Sequence, residues 1–419
     1  VITLAGTSRK RWPSKWHFCG FLDRDFQENK SGNEAVITLK AGANKRRTLA
    51  VAMIGHGFMG RAHSNSWRQA PRFFDLPAEI RMKTICGRNR RSTQRAAESL
   101  GWENSEVDWK RAVADPEIDI IDICTSNDTH AEIAIAAARA GKAILCEKPL
   151  ARSVREARQM WQAVRKARVT NMICHNYRRV PAIALAARMI ERGDLGDRLY
   201  HFRARYAQDW LVDPKSPASW RLRGAVSGSG ALGDIFSHAV DLGRFLVGEF
   251  RDVSAQMTTF IKQRPAHAGG RVKTRVDVDD AVNVIGHFRN GALASIEATR
   301  FASGRKNALS FEINGSLGSL AFDLENLNVL RFFSRAGDVD ARGFREIIVT
   351  EASHPYSKHW WPPGHLIGYE HTFVHTIAVF FAAAAMKKSA EPNFEDGLRN
   401  QRVLEAVAKS ARTRRWVKL

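Results

Sequence analysis

Apolar residues along this chain fall into two rhythms. Between residues 47 and 175, short predominantly apolar runs alternate with longer segments of helical spacing: LAVAMI (49–54), IRMKTIC (80–86), EIDIIDIC (117–124), KAILC (142–146) and VTNMICH (169–175). Runs of that length and composition suit strands buried on both faces. The segments between them carry helix punctuation. One helix is predicted from Ser92 to a stop before Gly101, another from Asp128 to a stop before Gly141, each with a polar first residue and a glycine at its end. Strand–helix alternation over short connections predicts an α/β domain at 47–175, a doubly wound parallel sheet covered on both faces.

After residue 176 the rhythm changes. LYHFRARYAQDW, DVSAQMTTFIK, AVNVIGHF, ALASIEATRF, ALSFEIN and SLAFDL follow one another as strand candidates, and Asn290-Gly291 between the third and fourth is a strong hairpin signal. This predicts an α+β domain at 176–419 with an open-faced, mainly antiparallel sheet. A helix near 231–247 is expected before the sheet, and helices near 371–386 and 395–411 after it. One face of such a sheet packs on helices; the other is free to pair with a second subunit, giving a homodimer or homotetramer. Residues 1–46 are polar and basic, and are expected to form a poorly ordered extension.

Composition narrows the function classes. Lysine and arginine outnumber the acids 65 to 43, for a net charge of +22. The excess is spread along the chain without an RNP sequence, zinc-finger spacing or isolated basic helix, so no nucleic-acid partner is expected. No apolar run reaches the roughly 18 residues of a membrane helix, so no membrane partner is expected either. The five cysteines are widely spaced, and no C-x-x-C occurs. That pattern suits a reducing, cytoplasmic setting and no metal site.

The first apolar run stops in GHGFMG (55–60), the spacing G-x-G-x-x-G at a strand-to-helix junction. Gly55 permits the tight turn, Gly57 lets backbone approach a pyrophosphate, and Gly60 packs helix on strand, while the helix N-terminus supplies N–H groups for the phosphates. Gly55, Gly57, Phe58, Met59 and Gly60 are therefore candidate cofactor contacts. An acidic residue after the second strand would read the ribose of NAD. Here CGRNRR supplies Arg88 and Arg90 and no carboxylate. Guanidinium groups suit a 2′-phosphate, which favours NADP over NAD as the cofactor.

With the glycine turn, the segments DICTSNDTHAEIAIAAARAGKAILCEKPLA (122–151) and GSGALGDIFSHAVDLGRFLVG (228–248) closely resemble the Gfo/Idh/MocA family of oxidoreductases, from about residue 47 to the C-terminus. Glu147-Lys148-Pro149 and the Asp234-x-x-x-His238 pair carry most of that resemblance. It implies a Rossmann domain followed by an open-faced sheet domain, and hydride transfer between NAD(P) and a sugar, anhydrosugar or cyclitol carbon. It also implies that Lys148 orients the reacting oxygen, His238 serves as acid/base and Asp234 positions substrate or histidine. Thr125, Asn127, His130, Glu147 and Lys148 fall to the cofactor's nicotinamide side. Tyr177, emerging from the last parallel strand toward the same cleft, is a candidate substrate contact with a core tyrosine as the alternative, and Trp220 a candidate contact to sugar or cofactor with domain packing as the alternative. Ser126 stands where the family usually has proline.

These residue types suit the chemistry. Oxidising a secondary alcohol removes a proton from oxygen and a hydride from carbon, so a base and a nearby cation are needed. A lysine at the carboxyl end of a parallel strand lies where open α/β sheets bind ligands. Asp234 and His238, four apart, share a helix face. The aromatic stretch HPYSKHWWPPGHLIGY (354–369) is a candidate to line or lid the pocket. Blander alternatives exist: Asp234 and His238 as a simple helical pair, Asp241 paired with Arg244, and the aromatic stretch as an oligomer contact. A catalytically silent nucleotide-sensing regulator of the same fold is the alternative function.

Overall fold

Thr48–Ile54 forms strand β1, and every residue after Thr48 is buried, as in a strand flanked on both sides and covered on both faces. The computed structural model describes residues 46–419. All but Arg46 of the expected basic extension therefore lies outside the described residues, as does Cys19. From β1 the chain continues through α1 (Phe58–Phe73), β2 (Glu79–Cys86), α2 (Arg90–Leu100), β3 (Asn104–Glu106), α3 (Trp109–Ala114), β4 (Ile120–Ile123), α4 (Asn127–Arg139), β5 (Ala143–Glu147), α5 (Val154–Ala167) and β6 (Asn171–Cys174). The strands form one parallel sheet in the order β3-β2-β1-β4-β5-β6. That order reverses direction at β1, and a crevice opens beyond the carboxyl ends of β1 and β4. Two helix starts differ from expectation. α2 begins at Arg90 because Asn89, not Ser92, supplies the cap, its Oδ1 accepting from Ser92 N at 3.0 Å. α4 begins at Asn127, one residue before Asp128.

The second half comprises α6 (Pro181–Arg192), β7 (Leu199–Ala207), the one-turn helix α7 (Gly224–Ser227), a π-helical turn at Leu232–Phe236 running into α8 (Ser237–Leu246), β8 (Phe250–Thr258), a small hairpin of β9 (Gln263–Pro265) and β10 (Lys273–Arg275), β11 (Ala281–Phe288), β12 (Leu293–Thr299), β13 (Ala308–Gly315), β14 (Gly318–Asp323), β15 (Val329–Ser334), β16 (Arg345–Ile348), α9 (Tyr369–Ala385), α10 (Phe394–Thr413) and β17 (Val417–Lys418). Nine strands form a sheet ordered β16-β15-β14-β13-β7-β12-β11-β8-β17. All its pairings are antiparallel except β7 with β12. The helix expected before the sheet lies between its first and second strands. The physical reason is that parallel pairing: β7 and β12 cannot be joined by a hairpin, and the chain leaves the sheet through α8 before it returns.

Burial alternates along β11, with Val282, Val284 and Phe288 inward and Asn283 and Ile285 outward. The inward face joins Ile183 of α6, Val240 of α8 and Val407 of α10 in one core. The C-terminal helices also reach the parallel sheet. Phe394 and Leu398 of α10 enter its core, and Phe380 and Phe381 of α9 pack edge-on to Trp67 of α1.

Candidate active site

Gly55 has φ of +102°, and a Cβ there would lie 2.5 Å from the Cys124 carbonyl oxygen. A Cβ at Gly60 would lie 2.1 Å from the Gly55 carbonyl oxygen, so α1 can sit this close to β1 only with glycine at that position. Gly57 is different. It is extended, it caps α1, and a Cβ there would meet nothing within 4 Å. The helix start has no side-chain cap and no acid in its first turn, which leaves an open, electropositive cradle for a phosphate. Phe58 is largely exposed and Met59 half-buried beside it. These features fit the pyrophosphate of a dinucleotide.

Beyond β2, Arg88 and Arg90 are exposed. A carboxylate that the sequence argument did not weigh, Glu106, ends the neighbouring strand β3. Its Oε1 is engaged by the amides of Val107 (2.7 Å) and Asp108 (3.1 Å).

The turns after β4 and β5 form the crevice floor. Thr129 Oγ1 donates to Thr125 Oγ1 at 2.6 Å, and Ser126 Oγ to Asp128 Oδ1 at 2.6 Å, so serine keeps this turn ordered without the proline. Asn127 Nδ2 reaches the Ser227 carbonyl at 2.8 Å. His130 and Glu147 face inward rather than into the crevice. His130 lies between the carbonyls of Pro149 (3.1 Å) and Thr125 (3.3 Å), and burial lowers its pKa. Glu147 is buried against His63 at 3.0 Å.

Lys148 projects from the end of β5, and its Nζ donates to the Asp234 carbonyl (2.6 Å) and to Asp234 Oδ1 (3.1 Å). Asp234 lies in the π-helical turn, a departure from α geometry that is frequent at functional sites. Asp279 anchors that turn: its Oδ1 accepts from Gly230 N and its Oδ2 from Leu232 N, both at 2.7 Å. A Cβ on Gly230 would overlap the Asp279 carbonyl at 1.7 Å. The GSG before the helix and the DVDD before β11 are thus two halves of one joint.

Arg300, at the end of β12 and fully buried, gives a hydrogen bond from Nη2 to Asp234 Oδ2 at 2.9 Å; its Nε and Nη1 have no partner. Burial alone would raise the Asp234 pKa. Lys148, Arg300 and Arg221 more than reverse this and hold the carboxyl far below its ordinary range.

One turn on, His238 is buried with its Nδ1 unpartnered. Asp234 and His238 are therefore no simple helical pair, since the carboxylate is spent on Lys148 and Arg300. Burial, then the charges of Lys148 and His175, push the His238 pKa well below its ordinary value. The Tyr177 ring lies 4.5 Å from it, and the Tyr177 hydroxyl is 2.8 Å from that of Tyr206, which donates to Asn307 Oδ1 at 2.7 Å. Trp220 is half-buried with the Arg221 guanidinium 4.5 Å over its ring, and Trp210 sits 5.3 Å from that of Arg300.

Two expectations need correction. Asp241 does not pair with Arg244. It takes a bidentate bond from Arg178 (2.7 and 2.6 Å), while Arg244 turns to Glu249 at 2.8 Å, because the inward side of α8 meets the turn after β6. The aromatic stretch 354–369 is a loop with one short 3-10 turn up to Gly368, and its centre packs on the end of α1; its last residue, Tyr369, opens α9 with its ring 6.4 Å from that of Tyr177. Trp360 packs on Phe73 at 4.4 Å and His359 on Phe74 at 4.3 Å, at the end of α1 opposite the glycine turn.

Arg300, Asp279, Tyr206 and Asn307 were missed. Each stands at a strand end or beside one: Arg300 just after β12, Asp279 and Asn307 just before β11 and β13, and Tyr206 near the end of β7.

The model of the oxidoreductase family with an NAD-binding Rossmann fold matches residues 49–175, and that of the GFO/IDH/MocA C-terminal domain matches residues 183–321. The chain is 44% identical over 384 residues to levoglucosan dehydrogenase of Pseudarthrobacter phenanthrenivorans, covering 88% of this chain and 98% of that one. Among solved structures, an oxidoreductase domain protein from Kribbella flavida is 49% identical with a TM-score of 0.86, over 89% of this chain and 99% of that one. A levoglucosan dehydrogenase in complex with NADH and levoglucosan is 45% identical, with the same TM-score and the same coverage.

Proposed function

This chain belongs to the Gfo/Idh/MocA family of oxidoreductases, and on that premise we propose that it is an NAD(P)-dependent dehydrogenase of a secondary alcohol in a sugar, anhydrosugar or cyclitol, with levoglucosan the first substrate to test. The observation that carries the proposal is the Lys148–Asp234 contact, which joins the strand end beside the dinucleotide cradle to the helix bearing an unpaired, buried histidine.

The glycine turn and the start of α1 would hold the cofactor's pyrophosphate, and Thr125 and Asn127 would meet its nicotinamide end; when bound, it would supply hydride acceptance and return. This chain's own residues manage the oxygen and its proton. Lys148 has three ammonium donors, of which two go to Asp234, leaving one for the substrate oxygen as negative charge builds on it. His238, kept neutral at pH 7 by its depressed pKa, is ready to take the hydroxyl proton. The anionic Asp234 steadies the imidazolium that results. Tyr177 walls the pocket against His238, and Trp210 and Trp220 offer apolar faces to the sugar C–H groups.

Levoglucosan dehydrogenase structures in complex with NADH point toward NAD, whereas this strand end carries Arg88 and Arg90 and no free carboxylate. We assign the arginines to a 2′-phosphate. Arg88→Ala is expected to lower kcat/KM for NADP about tenfold and leave NAD nearly unchanged. The outward face of the nine-stranded sheet, with Ile285 exposed among Arg203, Arg205 and Glu297, we assign to a second copy of the chain; light scattering after gel filtration tests it.

The central experiment follows the absorbance of reduced nicotinamide as the protein meets NAD or NADP with levoglucosan, sugars and inositols, beside Lys148→Ala and His238→Ala. Turnover abolished in both variants supports the assignment. Tight cofactor binding without turnover in either direction would turn the case to a silent regulator.

A further inference from the structure

Beneath Lys148 lies a buried ionic group that the chemistry above does not use. His63, in the second turn of α1, places Nδ1 at 3.0 and 2.9 Å from the two carboxylate oxygens of Asp122 on β4. Its Nε2 is 3.0 Å from Glu147 Oε1, at the end of β5. The three side chains are only 1%, 0% and 6% exposed. Each carboxylate has a further partner: Trp67 Nε1 donates to Asp122 Oδ2 at 2.8 Å, and the Lys148 backbone N–H donates to Glu147 Oε2 at 3.1 Å.

A neutral imidazole has a single N–H and would turn a lone pair on one carboxylate. With both nitrogens against carboxylates, the two contacts need two protons, and an imidazolium between two carboxylates supplies both. Burial opposes that charge, but Asp122, with smaller contributions from Cys124 and Cys174, leaves His63 well above its ordinary pKa. Glu147, which burial would raise, is instead lowered, by His63 and then by Lys148. Two of the buried cysteines lie at this group, Cys174 Sγ at 3.6 Å from His63 Nε2 and Cys124 Sγ at 3.6 Å from Asp122 Oδ1. With His63 already spent on both carboxylates, these donors form no metal site.

Buried ion groups are seldom a net source of stability, because desolvation offsets their attraction. The location of this one gives it a use. His63 follows the glycine turn by three residues, and Glu147 immediately precedes the lysine. On the other side of Lys148, the Pro149 carbonyl is held by His130. Both flanks of the lysine are therefore tied to histidines.

We propose that His63 is a positioning residue for hydride transfer: acting through Glu147, it fixes the backbone at Lys148 and locks the helix of the dinucleotide turn to the strand end that carries the lysine. This rests on the assignment of Lys148 above.

His63→Gln leaves two buried carboxylates sharing one neutral amide. The groups facing them are Cys124, Cys146 and Cys174 from the strands, His130 from α4, the Lys148 ammonium, His175 and Tyr177 after β6, and Tyr369 and Phe373 from α9. Without the imidazolium, burial is opposed mainly by Lys148, so the Glu147 carboxyl is expected to move up. The test is steady-state kinetics with levoglucosan, or the panel member turned over fastest, against pH. For His63→Gln, kcat is expected to fall about 30-fold, while KM for the polyol and Kd for the cofactor stay within about threefold. The acid limb of kcat moves up by about one pH unit or more. Glu147→Gln keeps an acceptor for the Lys148 amide and removes the titrating group, so its kcat falls without a new acid limb. That variant also answers the question if His63→Gln does not fold.

A His63→Gln protein with kcat within about twofold of the parent, or with an unmoved acid limb, overturns the inference, as does full kcat in Glu147→Gln. Lys148→Ala run in parallel separates the two ideas. If Lys148→Ala is inactive while His63→Gln behaves as the parent, only this inference fails. If Lys148→Ala turns over normally, the assignment of Lys148 fails and takes this inference with it.

Discussion

Two alanine substitutions in the glycine turn should behave in opposite ways. At Gly60, a methyl group would lie 2.1 Å from the Gly55 carbonyl oxygen, where an ordinary carbon–oxygen contact is roughly 3.3 Å. α1 would have to lift from β1 by about 1.2 Å, and overpacking of this kind costs about 1–3 kcal/mol. Both melting temperature and cofactor binding should fall. At Gly57 the added methyl meets nothing within 4 Å, and the backbone, at φ −72°, suits any residue. Loss of a favourable helix cap is partly offset by a less flexible unfolded chain, so stability should change by less than about 1 kcal/mol. The methyl nevertheless occupies the space through which a pyrophosphate must approach the helix start. Cofactor affinity should drop about 10- to 100-fold, or about 1.4–2.8 kcal/mol. Thermal melts and NAD(P)H titrations followed by tryptophan fluorescence separate the two effects. Parent-like binding by Gly57→Ala would refute the placement of the pyrophosphate; an unchanged melt for Gly60→Ala would refute the packing argument.

Arg300→Met removes the guanidinium from Asp234 together with two buried, unpartnered nitrogens. Stability should therefore stay within about 1 kcal/mol or improve, while kcat falls about 10- to 100-fold as Asp234 loosens its hold on Lys148; full activity would remove Arg300 from the site. Asp241→Leu strands the buried Arg178 and should cost about 3–5 kcal/mol in urea unfolding, most of it recovered in the double variant with Arg178→Leu. Acid should weaken the fold above the carboxylate range. Burial lowers His175 to about 4 and His375 to about 3, whereas both imidazoles protonate near 6.5 once unfolded. Below pH 6.5 the unfolded chain therefore binds more protons, and stability that is complete above 6.5 is lost toward pH 4, roughly 3 kcal/mol of it through His175. His63, raised rather than lowered, acts in the opposite sense: its contribution is complete below 6.5 and is lost as pH rises through its folded value. Melting temperatures measured from pH 7 to 4.5 should fall; a flat profile would contradict the burial of neutral histidines.

What the sequence alone determined here is what local chemistry can write. The glycine turn is legible because a positive φ at Gly55 and a close approach at Gly60 exclude side chains, whatever the rest of the chain does. The two domain types are legible because buried parallel strands and half-exposed antiparallel ones carry different apolar periods. Lys148 at a strand end and Asp234 and His238 on one helix were legible as positions from local pattern, while their proposed roles came from the family resemblance. Partner choice was not legible. Arg300 meets Asp234 across 66 residues, Glu147 meets His63 across 84, and Arg178 takes Asp241 from Arg244 across 63. The aromatic stretch 354–369 announced a stiff loop without saying that Phe73 and Phe74 would receive it. Such pairings depend on which strand ends and helix faces the sheets bring within 3 Å of one another. A buried charge accepts whichever opposite group the packing delivers, and sequence spacing carries no record of that distance.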